Sequence, residues 1–192
     1  MSHHIYRTEA LILGNRESGE ADKWITLFTR EHGLVWAKAT SIRKSTSKLR
    51  FALGDYSIAS VDLIQGRTGW KITTAVPITS TLYNLSSVQC AVFARACVLV
   101  QRLCRGEEEN TPLYELMRST PDQLSSVDAS RLKSFEIFII IRILFYLGYW
   151  DSDDESRTVV ESSWGDEVCE HIDRVRISLV RRINQSLKES HL

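Results

Sequence analysis

A mixed α+β chain is predicted from this 192-residue sequence: a small five-stranded barrel over residues 1–80, then an all-helical domain over residues 81–192. Three observations carry the prediction. Before residue 80, short β-rich runs alternate with turn residues. Beyond it the apolar period lengthens from two residues to three or four. Five strands in so short a stretch suit a closed barrel, because closure removes the exposed edges of an open sheet. An SH3-like barrel or an open meander fits the same count.

The strands are expected over residues 6–13, 24–29, 34–40, 56–64 and 70–76. A turn-like segment, 16–22, separates the first two, and His32-Gly33 makes a tight connection to the third. The link between strands three and four is the longest and most basic, and Gly66 to Gly69 turns the chain into strand five. The first helix, 85–104, is apolar nearly all round, as in a helix packed on several sides. Glu107-Glu-Glu-Asn110 breaks it, Pro112 opens a short helix over 113–118, and Pro121-Asp122 starts another connection. A long helix capped by Asp128 or Ser130 runs to about residue 147, where Gly148 stops it. After an acidic turn at 151–155, a last helix over 165–189 carries Val168, Ile172, Val175, Leu179 and Ile183 on one stripe.

Composition places the chain among ordered globular proteins, with 43% hydrophobic and 25% charged residues and only three prolines. The longest apolar run, residues 137–147 with Arg142 inside it, is far short of the roughly 20 residues of a membrane span. Residues 1–13 lack the pattern of a signal peptide, so a cytoplasmic location is expected, and sequons at Asn84 and Asn184 carry no weight there.

Cys90, Cys97 and Cys104 fall seven apart in a helix, which separates successive thiols by ~10 Å. Neither a shared zinc ion nor a disulfide can form at that spacing within one helix, and Cys169 has no convincing His/Asp partners. Phosphate-loop, dinucleotide, nucleophile-elbow and zinc-protease motifs are absent, and the histidines (His3, His4, His32, His171, His191) are scattered. Glu20 and Asp22 suit loop capping or ion pairing better than acid–base work. No enzyme activity and no cofactor are expected.

Equal numbers of Lys+Arg and Asp+Glu, 24 of each, conceal a split: net +4 over residues 1–80, zero over 81–150 and −4 over 151–192. The positive excess gathers in Arg30, Lys38, Arg43, Lys44, Lys48 and Arg50, where cations interleave with small hydroxyl residues and can donate to phosphate oxygens. Trp24, Trp36, Phe51, Tyr56 and Trp70 lie in the same half. Trp36 and Phe51, flanking the basic stretch, are the candidate platforms for stacking on unpaired bases. The counterweight is residues 151–173, with nine carboxylates and one Arg, expected to turn away from a polyanion or to mimic one.

Thr8-Glu-Ala-Leu-Ile-Leu13, Gly19-Glu-Ala-Asp-Lys23, Leu27-Phe-Thr-Arg-Glu-His-Gly33 and Lys38-Ala-Thr-Ser-Ile-Arg-Lys44, in that order, closely resemble the N-terminal domain of the bacterial RecO recombination-mediator family. Lys48-Leu-Arg50, Asp55-Tyr-Ser57 and Leu63-Ile-Gln-Gly-Arg67 continue the resemblance, and Pro112-Leu-Tyr-Glu-Leu116, Phe135-Glu-Ile-Phe138 and Leu147-Gly-Tyr149 extend it more weakly into the helical half. The resemblance implies an OB-fold barrel followed by a helical domain, binding of single- and double-stranded DNA, and annealing of complementary strands. It also implies partnership with RecR and the single-stranded-DNA-binding protein in helping RecA to load, without ATP use by the mediator itself. The binding protein's C-terminal tail is engaged in many members by the helical domain, for which Arg95 and Arg102, beside apolar neighbours, are the kind of residue required.

One departure stands out. Many members carry a four-cysteine zinc site directly after the Leu-Gly-Tyr phrase, whereas here Trp150-Asp-Ser-Asp-Asp-Glu-Ser-Arg157 follows, so no zinc is expected and that part of the helical domain should be rebuilt. Two other readings stay open: an adaptor of the same fold that has lost DNA contact, and an OB-type binder of RNA.

Overall fold

The computed structural model describes residues 4–79 and 82–190; His3 and His191 lie outside them. Five strands, β1 (Ile5–Ser18), β2 (Asp22–Thr29), β3 (Gly33–Ala39), β4 (Ile58–Gly66) and β5 (Gly69–Thr79), close into a barrel in the order β1-β2-β3-β5-β4. β1 pairs antiparallel with both β2 and β4, and β3 meets β5 in parallel over only three residue pairs. This strand order, with its short parallel seam, is that of the OB fold. The alternation of the sequence puts Ala10, Ile12, Ile25, Leu27, Val35, Ala37, Val61, Leu63 and Ile72 inside.

The hairpin of β1 and β2 is longer than the turn-like residues 16–22 suggest, since β1 continues to Ser18 and only 19–21 turn. A register shift between Ile12 and Gly14 bends this extension. The basic link between β3 and β4 contains a one-turn helix, α1 (Leu49–Ala52).

The remaining helices are α2 (Ser87–Leu103), α3 (Thr111–Ser125), α4 (Leu132–Tyr146), α5 (Arg157–Glu161) and α6 (Asp166–Glu189). Ser86 and Gln89 form a capping box at the start of α2. Asn110 caps α3 through its side-chain oxygen on the Leu113 amide, 3.1 Å away. α3 does not stop before Pro121 as expected; it runs through it to Ser125. α4 starts later than its expected caps, because Asp128 leads instead into a single 3-10 turn at Ala129–Arg131. Gly148, with φ +75°, ends the α4 region in the left-handed conformation.

The chain does not divide by a single cut at residue 80. One compact unit is Met1–Asn84 with Arg105–Arg118; the other is Leu85–Cys104 with Ser119–Leu192. In the first, residues 105–118 strap the barrel: Trp70 donates from its indole nitrogen to Glu107 at 2.8 Å, and the Leu34 amide reaches the Gly106 carbonyl at 3.3 Å. Tyr114 packs on Phe28 with ring centroids 5.8 Å apart and donates to Glu9, which also receives Arg118. In the second unit α4 is buried nearly all round, as its unbroken apolar run requires, and packs against α2, α5 and α6.

Candidate nucleic-acid interface

Register places one group of side chains on the outward face of the barrel. Arg16 on β1 is opposite Trp24 on β2, Trp24 is opposite Lys38 on β3, and Lys38 is opposite Lys71 on β5. Directly paired residues share a sheet face, so these four form one row across four strands. Trp36, opposite Thr26 in the next row outward, is 65% exposed. The face thus presents an exposed indole, a half-buried one and three cations, the combination that stacks bases and neutralises phosphates. Arg16 and Lys71 escape sequence reasoning because they lie outside the 30–50 cluster; only the pairing brings them in.

A second group lines a cleft of about 330 Å³ on the inner side of the β1–β2 extension: Asn15, Glu17, Lys23, Arg43, Arg50 and Asp55, over a floor that includes Ile42 and Leu53. Arg43 and Arg50 reach it from the basic loop. Phe51, next to Arg50 on α1, is 76% exposed, with the Arg50 guanidinium 5.4 Å from its ring centre. Lys44 and Lys48 are exposed on the loop.

The loop is tied to the barrel. Ile42 is buried in the barrel core, and the Arg43 amide donates to the Ala21 carbonyl at 3.0 Å. Asp22 fixes the entry: one oxygen accepts the Ser41 amide at 2.8 Å and the other meets the Lys38 ammonium at 2.9 Å. Ser41 is held there at φ +56°, a strained value for a residue with a side chain. The Ser41 amide and then Lys38 hold the Asp22 carboxyl below the usual carboxylate range. Asp22 therefore serves as the loop cap and ion-pair partner expected of it.

The sequence-predicted residues consequently separate. Trp36 and Lys38 share the outward face; Arg43, Lys44, Lys48, Arg50 and Phe51 belong to the loop and cleft. Arg30 joins neither. It sits at the opposite end of β2 from Asp22, ~23 Å of strand away, and pairs with Glu115 at 3.1 Å. Of the other barrel aromatics, Trp70 is buried, and Tyr56 is half-buried at φ +63°.

Arg95 and Arg102 lie seven residues apart on the exposed face of α2, with exposed Val98 between them. Arg95 is engaged in a two-pronged pair with Glu136 of α4, the second contact 2.9 Å long. Burial raises the thiols of Cys97 and Cys169, and that of Cys104 to about 12, so none of these is a ready thiolate.

Where the resemblance would put zinc ligands, the chain offers oxygens that are already committed. Asp153 accepts the Ser156 amide at 3.0 Å and hydroxyl at 2.6 Å, and Arg182 at 2.7 Å. The Ser156 contacts and then Arg182 pull its carboxyl down to about 2. Trp150 donates to Ser156 at 3.1 Å and lies 4.4 Å beneath the Arg182 guanidinium. These residues do not fit a thiolate zinc site.

Residues 1–80 match the family model described as recombination protein O, N terminal. Proteins named DNA repair protein RecO from two strains of Dehalococcoides mccartyi are 34% and 31% identical over 140 residues, covering 71% of this chain and 55% of each relative. The protein of that name from Heliobacterium modesticaldum is 40% identical over 76 residues, 40% of this chain and 28% of its own. The chain therefore spans about half the length of the Dehalococcoides relatives it matches. Matching barrel, strand order and sequence together, the chain belongs to the RecO family.

Proposed function

We propose that this chain acts in DNA repair as a recombination mediator that binds single- and double-stranded DNA and anneals complementary strands. The observation that carries the reading is the row of Arg16, Trp24, Lys38 and Lys71 with exposed Trp36 beside it. Aromatic faces take unpaired bases whatever their sequence, and the cations take phosphates. Annealing needs two backbones neutralised and a coating protein displaced; it needs no catalytic group and no cofactor. RecR and the single-stranded-DNA-binding protein are the proposed partners, RecA the indirect beneficiary, and the bacterial cytoplasm the place of work. No helix among the described residues is long and apolar enough to cross a membrane.

The test is anisotropy of a labelled oligonucleotide across a salt series. Exchanging Arg16, Lys38 and Lys71 for Gln should lower the slope of log affinity against log salt by ~2–3, about one phosphate contact each. An unchanged slope overturns the reading. A second reading, an adaptor without DNA contact, draws support from the carboxylates already paired with Lys38, Arg43 and Arg30. Capture of RecR together with no DNA binding at low salt would select it. Competition by RNA of the same sequence would expose an RNA binder, which reads the 2′-hydroxyl.

A further inference from the structure

Among the described residues, two other than glycine adopt the left-handed backbone region: Ser41 at φ +56° and Tyr56 at φ +63°. Both adjoin the same cleft. Ser41 precedes Ile42 and Arg43, Tyr56 follows Gly54 and Asp55, and all four of these neighbours line the space between the β1–β2 extension and the basic loop. Backbone strain persists only where surrounding contacts hold it, and it gathers at ligand-binding sites. Here the contacts are explicit. Asp22 takes the Ser41 amide, and the Tyr56 amide donates to the Ile12 carbonyl at 2.7 Å. The Ser57 hydroxyl reaches the carbonyls of Ala52 and Gly54 at 3.0 and 2.7 Å. Two walls of the cleft are thus fixed before any ligand arrives.

The lining argues against a phosphate inside. Three cations, Lys23, Arg43 and Arg50, share the cleft with two carboxylates, Glu17 and Asp55. A sugar-phosphate backbone laid through it would meet both acids. Hydrogen bonding then separates the engaged groups from the open ones. Glu17 is paired with Arg43 at 3.3 Å, and Lys23 donates to the Asn15 amide oxygen at 2.8 Å. Asn15 in turn donates to Asp55 at 2.6 Å, the one hydrogen bond the Asp55 carboxylate accepts among the described residues. A carboxylate has about four acceptor positions, so most of Asp55 stays open. Arg50 forms no ion pair among the described residues and rests against the Phe51 ring. An open acceptor and an open forked donor therefore line one cleft, over a floor that includes the buried side chains of Ile42 and Leu53.

An apolar floor between an acceptor and a forked donor suits a nucleobase, which is flat, neutral and edged with both kinds of group. Guanine matches it best. Its N1–H and N2 amine are adjacent donors for a carboxylate, and its O6 and N7 are adjacent acceptors for an arginine. Thymine carries no amine. A volume of about 330 Å³ lies at the lower end of small-ligand sites, the size of one base with its sugar and not of a duplex. The flanking phosphates fall to exposed Arg43, Lys44 and Lys48.

We propose that this cleft captures one unstacked guanine of a single DNA strand, with Asp55 on its N1/N2 edge and Arg50 on its O6/N7 edge. The proposal rests on the reading of the barrel as a DNA-binding surface and adds a base preference that stacking on Trp36 lacks. A guanine held in this way fixes the register of a strand otherwise free to slide.

The experiment measures anisotropy of the full chain with labelled single strands: oligothymidine, the same strand with one central guanine, and the same with hypoxanthine there, which lacks only the N2 amine. The guanine strand should bind about 5-fold or more tighter than oligothymidine, the lower end for a two-pronged base contact. Hypoxanthine should forfeit most of that advantage. Asp55→Asn, checked for folding by its melting curve, should bring the guanine-to-thymine ratio close to one, whatever it does to the affinities themselves. Equal binding of the guanine and thymine strands by the parent overturns the proposal, as does full retention of the advantage with hypoxanthine or in Asp55→Asn. Removal of the advantage by free dGMP, at a concentration where dTMP has no effect, also overturns it, since the cleft would then serve free nucleotides. If no strand binds at low salt, the DNA-binding reading of the barrel fails and this one with it. If all strands bind alike with the expected salt slope, the guanine cleft alone fails.

Discussion

Gly33 lies so tightly against Glu108 that a Cβ on it would stand 2.1 Å from the Glu108 carbonyl oxygen. Its φ of +59° is also one that side chains resist. Conformation and close approach thus demand glycine independently at the point where the 105–118 strap meets the β2–β3 hairpin. Gly19 shares the first demand, with φ +68°, and not the second, since no heavy atom lies within 4 Å of its Cβ position. Gly33→Ala should therefore cost ~2–4 kcal/mol and Gly19→Ala about 1 kcal/mol. Denaturant unfolding of both variants checks this; equal losses would show that the strap does not press on Gly33.

Trp36 faces outward and supports little of the fold. Trp36→Ala should weaken single-stranded DNA binding by ~1–3 kcal/mol, roughly 5- to 150-fold. Its melting temperature should stay close to that of the parent, as for other surface changes. Duplex binding, which offers no free base faces, should change far less. Equal weakening for both substrates would remove Trp36 as a stacking platform.

Glu17 sits in the cleft 3.3 Å from the Arg43 guanidinium. Glu17→Gln frees that cation and removes a negative charge from the proposed path of the phosphates. Affinity for a labelled oligonucleotide should rise several-fold at low salt, with the gain shrinking as screening shortens the reach of the charge. A fall in affinity would mean that Glu17 orients Arg43 for DNA rather than competing with it.

Asp153 titrates at about 2 in the fold, against about 3.9 in an unfolded chain. A lowered carboxyl stabilises the folded state above the unfolded value, and that contribution disappears as pH falls through the folded one. Asp153→Asn should therefore melt below the parent at pH 7, with the gap closing between about pH 4 and pH 2. Melting curves across that range decide it: a gap of constant size would show that the Ser156 and Arg182 contacts do not depend on the charge.

Much of the barrel was legible because burial on one side of a strand writes itself as alternation, and the resemblance then selected the OB fold from the alternatives. Trp36 and Phe51 are exposed for different local reasons: Trp36 alternates with buried Val35 and Ala37, and Phe51 follows Arg50 on the basic loop. The rest depended on pairing across sequence distance. Nothing local distinguishes Arg16 or Lys71 from other surface cations until Trp24 and Lys38 place them in one row. Arg30 shows the converse, since closeness in sequence to Lys38 conceals that a whole strand separates them. Pro121 misled: a proline removes one hydrogen bond, which the other turns of α3 outweigh. Asp22 was read correctly as a cap, but its grip on Ser41 and Lys38 makes the basic loop an ordered element.

The barrel's strap arrives late. Residues 105–118 follow α2, which belongs to the other unit, so a ribosome delivers all five strands and an entire foreign helix before the indole of Trp70 can find Glu107. Vectorial synthesis therefore cannot finish the first unit before beginning the second. The nascent barrel waits with its Gly33 corner uncovered, and the two units mature as interleaved halves of one folding reaction.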